Sequence, residues 1–451
     1  MASANRATAI PGGGSGLLRV LGLAFTIAVG IGAVIGGGIL RTPATVIEAV
    51  PIGAVALSLW VVVGLHCLLE ANVVAELMTA IPRSGGLFVP ARAAFAEPGG
   101  LLVGWTDWLA WVAAAAALAV LSAEFLAMNV AAVTDHIGVT AALLLLAVVA
   151  LNWSGVREGS RAQIVGSIAK TIFLLVIVAL IFLAPPAASA GPRSPGISGP
   201  VTLIGVVVAY QTIYGAYAGW TSGAYFAEED RDPGRTIPRG LFTTILMVIL
   251  LYTLVSAALS YALPLEALRL SKLPVADALV ASLGPLGFKF IAAGSLLIVL
   301  TCLNAQIMGA PRILYGLAAE GLFPKIALRV NRGGTPSFAL LLTAIAALAL
   351  ALTGEFETVF LAQAALGMVT ILVAALALFK LRRDLPDLPR PYRARLYPWL
   401  PALAVLLDVG LLIAFLAADW TSGLFIVAAV AICVPIGLWM RRNQPAPIAI
   451  G

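Results

Sequence analysis

The stretch GIGAVIGGGILRTP, residues 30–43, falls where the first membrane-spanning helix is expected, yet three consecutive glycines at 36–38 interrupt it. Glycine destabilises a helix interior by about 1 kcal/mol relative to alanine, so this run predicts a break in the helix. A break inside the bilayer frees backbone N–H groups and carbonyls, and each one left unpaired in hydrocarbon is costly. We therefore expect a ligand or a side chain to pair with this backbone.

The overall composition is typical of an integral membrane protein. Of the 451 residues, 61% are hydrophobic and only 11% are charged, whereas soluble proteins carry about 25% charged residues. Cys67, Cys302 and Cys433 lie in apolar stretches and are interpreted as buried thiols, since nothing in their spacing suggests a disulfide framework. The only histidines in the sequence are His66 and His136, so we predict no histidine metal cluster, and no cofactor is expected.

Apolar segments long enough to span a bilayer recur along the whole chain. A spanning helix needs about 20 mostly apolar residues. The predicted fold class is therefore an all-α polytopic membrane protein, one membrane domain over residues 1–451. The twelve candidate spans are 17–40, 51–79, 99–129, 137–155, 161–184, 201–228, 238–263, 284–315, 336–353, 356–380, 396–417 and 419–441.

The positions of the basic residues predict which side of the membrane each loop faces, because cytoplasmic loops are enriched in lysine and arginine. If the N-terminus lies in the cytoplasm, most of the 27 basic residues fall on the inner side, including the arginine-rich loop 381–395. We therefore predict that both termini are cytoplasmic and that the chain lies in the cytoplasmic membrane. The same loop is expected to contact anionic membrane lipid, and no nucleic-acid partner is expected from the net charge.

A second interruption lies in the sixth predicted span. In YGAYAGWTSGAYFAEE, residues 214–229, Gly215, Gly219 and Gly223 recur every fourth residue. Small residues at this spacing also occur where membrane helices pack closely, and for a single glycine that alternative stays open. The two interruptions, however, each fall in the first span of a block of five spans. Glycine-interrupted spans at corresponding positions in two halves point to the binding site of an inverted-repeat transporter.

Two broken helices can hold both ends of an amino acid with backbone groups alone. The N-terminus of a half-helix carries a partial positive charge and free N–H groups, which suit a carboxylate. The C-terminus of a half-helix offers carbonyls, which suit an ammonium group. Glycine lets a ligand approach this backbone closely. The physics of the two breaks therefore favours a zwitterionic ligand.

Four motifs in chain order resemble the amino acid–polyamine–organocation (APC) family of permeases. GAVIGGGI, residues 32–39, is similar to the signature of the first helix of that family, and AELMTAIPRSGG, residues 75–86, resembles the end of the second helix and the following loop. AEEDRDPGRTIPRGL, residues 227–241, closely resembles the end of the sixth helix, and PRILYGLAAEGLFP, residues 311–324, resembles the end of the eighth.

The resemblance implies a LeuT-like fold and gives roles to particular residues. The first five-helix repeat would cover 17–184, the inverted second repeat 201–380, and helices 11 and 12 would follow over 396–441, with helices 1 and 6 broken. The third, eighth and tenth helices would complete a pocket for the substrate side chain. The substrate would bind at the following residues, its carboxylate at the glycines of the first helix and its amino group at the nearby carbonyls: Val34, Ile35, Gly36, Gly37, Gly38, Tyr214, Gly215, Ala216 and Ala218.

Three features depart from the pattern of the family. Gly37 replaces a serine and removes a hydroxyl that could assist the carboxylate. Gly215 aligns with a bulky aromatic residue that often covers the substrate, and Tyr214 is the nearest substitute. The neutral residues 221–223 stand where arginine-type exchangers carry an acid, which argues against a cationic substrate.

Lys170 lies well inside the fifth predicted span, where an unpaired charge is costly. One interpretation is that its side chain extends to the cytoplasmic edge of the membrane. The resemblance implies another, in which the ammonium group bridges the fifth helix to the broken first helix, in the space that a sodium ion fills in sodium-coupled members. We therefore assign Lys170 a coupling role as a hypothesis and expect sodium-independent transport, with the proton as a possible coupling ion.

Other polar residues within the spans keep more than one interpretation. Glu70 and Glu124 are either contacts between helices or parts of a proton path, and interhelical hydrogen bonds are favoured over pocket contacts for Asn304 and Gln363. Asp107 is left unassigned.

Two acidic residues near cytoplasmic helix ends are expected to be either ion-paired anchors or solvated helix caps. Glu76 lies close in sequence to Arg83, and Glu228 lies close to Arg231.

The sequence as a whole predicts a secondary active transporter and not an enzyme, since no catalytic constellation or nucleotide-binding motif is recognisable. The expected substrates are neutral L-amino acids, moved by alternating access with proton symport or by exchange. Two alternatives stay open: a carrier of polyamines or other cationic amines, and an amino acid sensor that binds without transport. No obligate partner protein is evident.

Overall fold

The structure is a computed structural model that describes residues 17–128, 130–183, 200–271, 273–353 and 356–418, with isolated helical positions at 427, 428, 431 and 435. The regular structure of the described residues is helical, apart from two isolated bridge pairs. The α-helices are α1 Leu23–Val34, α2 Gly37–Ala49, α3 Gly53–Ala80, α4 Phe88–Ala127, α5 Ile137–Ser154, α6 Val156–Leu183, α7 Leu203–Tyr217, α8 Pro233–Ala262, α9 Leu265–Leu270, α10 Pro274–Leu283, α11 Pro285–Ala319, α12 Ser337–Ala351, α13 Phe356–Asp384 and α14 Trp399–Ala418.

The helices confirm a polytopic membrane protein. Among the described residues, six helical segments are long and apolar enough to cross a membrane, and the bent pair α1–α2 makes a seventh candidate. Large apolar side chains on α5 and α6, such as Leu143 and Val165, are exposed on the protein surface, as expected where helices face lipid. Helices also lie at the shorter predicted spans, but the span 419–441 falls almost wholly outside the described residues, so the count of twelve stays a prediction.

The first predicted break is present in the structure. Helix α1 ends at Val34, Ile35 and Gly36 leave the helical conformation, and α2 begins at Gly37. The two helices are bent by 46° at this point. The glycine run therefore ends one helix and begins another inside a single span, as its low helix propensity predicts.

The sixth predicted span, 201–228, is not one α-helix. Helix α7 ends at Tyr217, Gly219 adopts a left-handed conformation with φ of 105°, and a 3₁₀-helix follows from Trp220 to Phe226. Only glycine adopts this φ without strain, which explains why the chain can turn here. The second interruption therefore breaks the span, and the segment after the break winds more tightly than a continuous helix.

The two breaks lie against each other. A Cβ atom on Gly219 would come within 3.0 Å of the backbone of Ala33, and a Cβ on Gly38 would come within 2.9 Å of the Cβ of Ala216. The absence of side chains at these glycines lets α1–α2 and the break after α7 approach backbone to backbone.

Helix α4 forms the neighbouring wall and packs on α5, α11, α12 and α13. It begins at Phe88, earlier than the predicted 99–129, and is kinked at Ala96.

Candidate substrate-binding site

The two breaks border one cavity, which α4, α11 and α13 complete. About 110 Å³ of the cavity can be reached by the centres of water molecules, enough for a small polar ligand with ordered water. Of the predicted substrate residues, all but Ile35 line this cavity: Val34, Gly36, Gly37, Gly38, Tyr214, Gly215, Ala216 and Ala218. Residues far apart in sequence therefore meet at one place.

The N-terminus of α2 presents backbone donors to the cavity. Gly36 is its N-cap and Gly37 its first residue, and no side chain caps this end. The first N–H groups of a helix lack intrahelical partners, and the helix dipole adds a partial positive charge there. This end of the cavity is therefore suited to a carboxylate.

The space around the glycines explains why Gly37 departs from the serine of the family pattern. A Cβ atom on Gly37 would collide with the Cδ2 atom of Leu121 in α4, and one on Gly36 would lie 2.9 Å from the Sγ atom of Cys302. Because Leu121 fills the space that a side chain at position 37 would need, a serine there requires the Leu121 side chain to move. At these two glycines, a ligand can contact only backbone atoms.

Most of the carbonyls expected to bind an amino group already accept a hydrogen bond from the protein. The hydroxyl oxygen of Tyr252 lies 2.9 and 3.2 Å from the carbonyl oxygens of Val34 and Ala216, so its single proton is shared between them or donated to one of them. The amide of Ala218 donates to the carbonyl of Gly215 at 3.2 Å. A carbonyl has two lone pairs, so each can accept a second donor. Tyr252 therefore ties the two breaks together and holds their carbonyls in place.

Lys170 lies behind the first break and not in the cavity. Its side chain is completely buried, and its Nζ atom donates to the carbonyls of Gly32 and Ile35 at 2.7 and 2.6 Å. The side chain therefore bridges α6 to the C-terminal end of α1, and an extension to the membrane edge is ruled out in this structure. Since Lys170 occupies the carbonyl of Ile35, that residue faces away from the cavity.

Asp107 is a cavity-lining group that the sequence left unassigned. The residue is 3% exposed, and its carboxylate accepts hydrogen bonds from Nε1 of Trp111 at 3.1 Å and from the hydroxyl of Tyr225 at 2.7 Å. Helix α4 is apolar on nearly all sides, so hydrophobic periodicity could not show which face carries the site. The signal available in the sequence is a carboxylate inside an apolar span, where ionisable residues are rare.

The remaining polar candidates divide between the cavity and the helix interfaces. Gln363 lines the cavity. Asn304 instead bonds to Asn152 at 2.8 Å and to Gln163 at 2.7 Å, which confirms an interhelical role. Glu124 pairs with Arg41 of α2 at 2.6 Å, also as a contact between helices.

Glu76 has different ion-pair partners from the neighbour suggested by the sequence. It pairs with Arg382 at 2.5 Å and Arg390 at 3.0 Å, whereas Arg83 pairs with Glu320. Glu76 also accepts from the amide of Ala394, so it anchors the loop between α13 and α14.

Glu229, the neighbour of Glu228, forms the buried ion pair at the end of the second broken span. Its carboxylate accepts from Nε and Nη2 of Arg312 at 2.6 and 3.0 Å. The expected pairing of Glu228 with Arg231 is absent from the ion pairs of the described residues. Sequence proximity failed in both cases because the partners come from helices far along the chain.

Comparison with known proteins identifies the group to which the chain is related. The amino acid permease family matches residues 21–445. The serine/threonine exchanger SteT of Bacillus subtilis is 26% identical over 449 residues, 95% of this chain and 98% of SteT. The branched-chain amino acid permease BcaP of the same organism is 26% identical over 421 residues, 89% of each chain.

A human relative shows the same level of similarity. The large neutral amino acids transporter small subunit 2 of Homo sapiens is 26% identical over 409 residues, 85% of this chain and 74% of the human protein. These relatives are transporters and not enzymes. Because the family match covers nearly the whole chain, including both breaks and the cavity between them, this protein belongs to the amino acid permease family.

Proposed function

We propose that this permease moves neutral L-amino acids across the cytoplasmic membrane by alternating access, without sodium, as a proton symporter or an exchanger. The observation that carries the proposal is the crossing of two broken helices at one cavity, with the uncapped N-terminus of α2 facing it. The proposal includes a LeuT-like arrangement of twelve spans in two inverted five-helix repeats, with both termini in the cytoplasm.

In the proposed complex, the carboxylate of the substrate accepts hydrogen bonds from the backbone of Gly36, Gly37 and Gly38. The amino group donates to carbonyls at the ends of α1 and α7, among them those of Val34 and Ala216. Tyr214 and Gln363 line the space around the substrate. The named relatives move serine and threonine, branched-chain and large neutral amino acids, which supports a neutral substrate.

Lys170 supports the sodium-independent part of the proposal. Its ammonium group lies on the carbonyls of Gly32 and Ile35, and carbonyls at an unwound helix end are the groups that coordinate sodium in transporters with broken helices. A fixed cation at this position supplies the charge that sodium would otherwise bring. A proton lost from Lys170 would weaken its contact with the first break and change the stability of that conformation.

A second candidate function is the transport of cationic amines. Asp107 places a carboxylate in the cavity, which would attract a positively charged substrate. Both of its oxygens already accept hydrogen bonds from Trp111 and Tyr225, so the neutral substrate is the better-supported choice. A sensor that binds without transport is the third possibility, and flux measurements separate it from the other two.

The test is uptake of radiolabelled amino acids into proteoliposomes with a panel of competitors, repeated with and without sodium and with and without a pH gradient. We expect neutral L-amino acids to compete and sodium removal to leave uptake unchanged. Competition by polyamines or lysine but not by neutral amino acids would support the second candidate. Binding without flux would identify a sensor.

A further inference from the structure

A cluster of buried ionisable side chains lies behind the second break, outside the cavity. It consists of His66 and Glu70 on α3 and Asp408 on α14, and we refer to it as the His–Glu–Asp cluster. Nε2 of His66 lies 3.0 Å from Oδ1 of Asp408 and 3.8 Å from Oε1 of Glu70. All three residues are at most 2% exposed, and each can place one ligating atom within 4.8 Å of the others.

The charges of this cluster do not balance without an added cation. Two ionised carboxylates and one histidine would leave a net negative charge even with the imidazole protonated. Among the described residues, no lysine or arginine forms an ion pair with Glu70 or Asp408, and the buried atoms Oε2 of Glu70 and Oδ2 of Asp408 have no hydrogen-bond partner. Burying an uncompensated charge costs far more than burying a neutral carboxyl group, so the cluster needs a bound proton or another cation to offset its charge.

The cluster is connected to the candidate substrate cavity by Tyr214. The hydroxyl of Tyr214 donates to Oε1 of Glu70 at 2.5 Å, and Tyr214 itself lines the cavity. This tyrosine lies in the last turn of α7, next to the break. A hydrogen bond to a charged carboxylate is roughly twice as strong as one to a neutral group, so the protonation of Glu70 changes how firmly α7 is held at the break.

On the opposite side, the cluster reaches a second, larger opening. A groove of about 1050 Å³ lies beside α3, α7, α8 and α14, and we refer to it as the lateral groove. Both His66 and Tyr210 line it, and the hydroxyl of Tyr210 lies 2.9 Å from Nδ1 of His66. Arg239 and Arg395 line the same groove. Polar groups therefore lead from the lateral groove to the substrate cavity: Tyr210 contacts His66, His66 contacts Asp408, and Tyr214 contacts Glu70. The one step longer than a hydrogen bond is the 3.8 Å between Nε2 of His66 and Oε1 of Glu70.

We propose that Glu70 and Asp408 form a proton-binding site that is loaded from the lateral groove through Tyr210 and His66 and sensed at the substrate cavity by Tyr214. A proton arrives at Nδ1 of His66, and the proton on Nε2 passes to a carboxylate, so the imidazole returns to a neutral form with its proton on the other nitrogen. The facing titratable groups are the thiol of Cys67 on α3 and the hydroxyls of Tyr210 and Tyr214 on α7. This inference deepens the proposed proton coupling and rests on it.

The direct test is infrared difference spectroscopy of the purified protein between alkaline and acidic pH, which detects the C=O band of a protonated carboxyl group. We expect Glu70→Gln and Asp408→Asn each to remove a band that the unmodified protein shows. Ser122→Ala is the matched control, because Ser122 is a buried polar residue whose hydroxyl donates to the carbonyl of Leu118 in its own helix. Bands that persist unchanged in both carboxyl variants would overturn the proposal.

Two further results keep the test decisive. Thermal unfolding shows whether each variant is folded, and the isosteric amides are chosen because they retain shape and hydrogen bonding. A stoichiometric divalent metal in the purified protein that Glu70→Gln removes would overturn the assignment of a proton, because His66, Glu70 and Asp408 are also metal-ligating groups. Metal analysis by mass spectrometry makes this distinction.

The link to transport is tested separately in proteoliposomes. We expect Glu70→Gln and Asp408→Asn to lose most of the acceleration that a pH gradient gives to uptake, while exchange at equal pH is retained. Full acceleration in a variant whose infrared band is lost would overturn the link to the cavity. If the unmodified protein moves no amino acid, the proposed function fails, but the infrared result still decides whether the cluster binds a proton.

Discussion

Gly37 is the residue at which sequence and structure together define the candidate site. The sequence marks the position as unusual because a glycine stands where the family pattern has serine, and the structure shows that Leu121 fills the space beside it. The bare backbone at this position faces the cavity at the start of α2. The position of Leu121 on α4 therefore favours glycine at position 37, a preference that the sequence of the first helix alone does not explain.

Gly37→Ser is expected to lower transport, because overpacking a filled site costs about 1–3 kcal/mol and shifts the backbone donors of α2. Uptake kinetics should show a raised KM. The double variant Gly37→Ser with Leu121→Ala should recover part of the activity, since the colliding Cδ2 atom is then absent. Equal kinetics of Gly37→Ser and the unmodified protein would contradict the claim that packing against Leu121 requires a glycine at this position.

Lys170→Ala is expected to abolish the response of uptake to a pH gradient and to lower total uptake, because the carbonyls of Gly32 and Ile35 lose their donor. Lys380→Ala is the control, since Lys380 pairs with Asp384 in a half-exposed position at the end of α13. Uptake should be measured at several external pH values. A full pH response in Lys170→Ala would contradict the proton role of this lysine.

At the scale of the helices, the break after α7 depends on one conformation. Gly219→Ala should destabilise the protein and reduce uptake, because the left-handed φ of 105° is strained for alanine and the new Cβ would lie 3.0 Å from the backbone of Ala33. Gly53→Ala is the matched control, since no atom of the described residues outside its own stretch of helix lies within 4 Å of its Cβ position. Thermal unfolding in detergent and uptake would both report the difference. Equal stability of the two variants would contradict the account of this break.

The end of the second broken span is held by the ion pair of Glu229 and Arg312, whose side chains are 0% and 2% exposed. Glu229→Gln should lower the free energy of unfolding by about 3–5 kcal/mol, because it leaves a buried guanidinium without its charge partner. Glu266→Gln, which removes the partner of Arg269 in an exposed pair, should have a small effect. Chemical or thermal unfolding of both variants measures the contrast, and similar losses would contradict a structural role for the buried pair.

The sequence could predict the helix breaks because their causes are local. Glycine propensity ends α1 near residue 35, and the family resemblance points to the same positions. Contacts across the fold could not be predicted in this way. Helices far apart in sequence pack together to bring Glu70 near Asp408 and to bury Asp107 beside the cavity. Because these helices are apolar on most sides, their sequence does not indicate which face points inward. Glu76 is another example: Arg83 is its neighbour in sequence, but its partner Arg382 lies on a helix far along the chain.

At the scale of the whole molecule, charge and openings are arranged around two broken helices. The α2 N-terminus faces the substrate cavity, Lys170 supports the break from behind, and the His–Glu–Asp cluster lies between that cavity and the lateral groove. In the proposed cycle, a change of protonation at the cluster or at Lys170 would act on the two breaks that hold the proposed substrate. In the proposed cycle, proton binding and substrate binding would therefore be linked through the two breaks.

In the proposed transport cycle, backbone groups at the two breaks bind both ends of a zwitterion. The most direct measurement is an electron cryomicroscopy structure of the protein with a transported neutral L-amino acid bound. We expect the carboxylate within hydrogen-bond distance of the N–H groups of Gly36, Gly37 and Gly38, with the amino group facing carbonyls at the ends of α1 and α7. A carboxylate held only by side chains elsewhere, or continuous helix through residues 34–39 and 214–219, would contradict it.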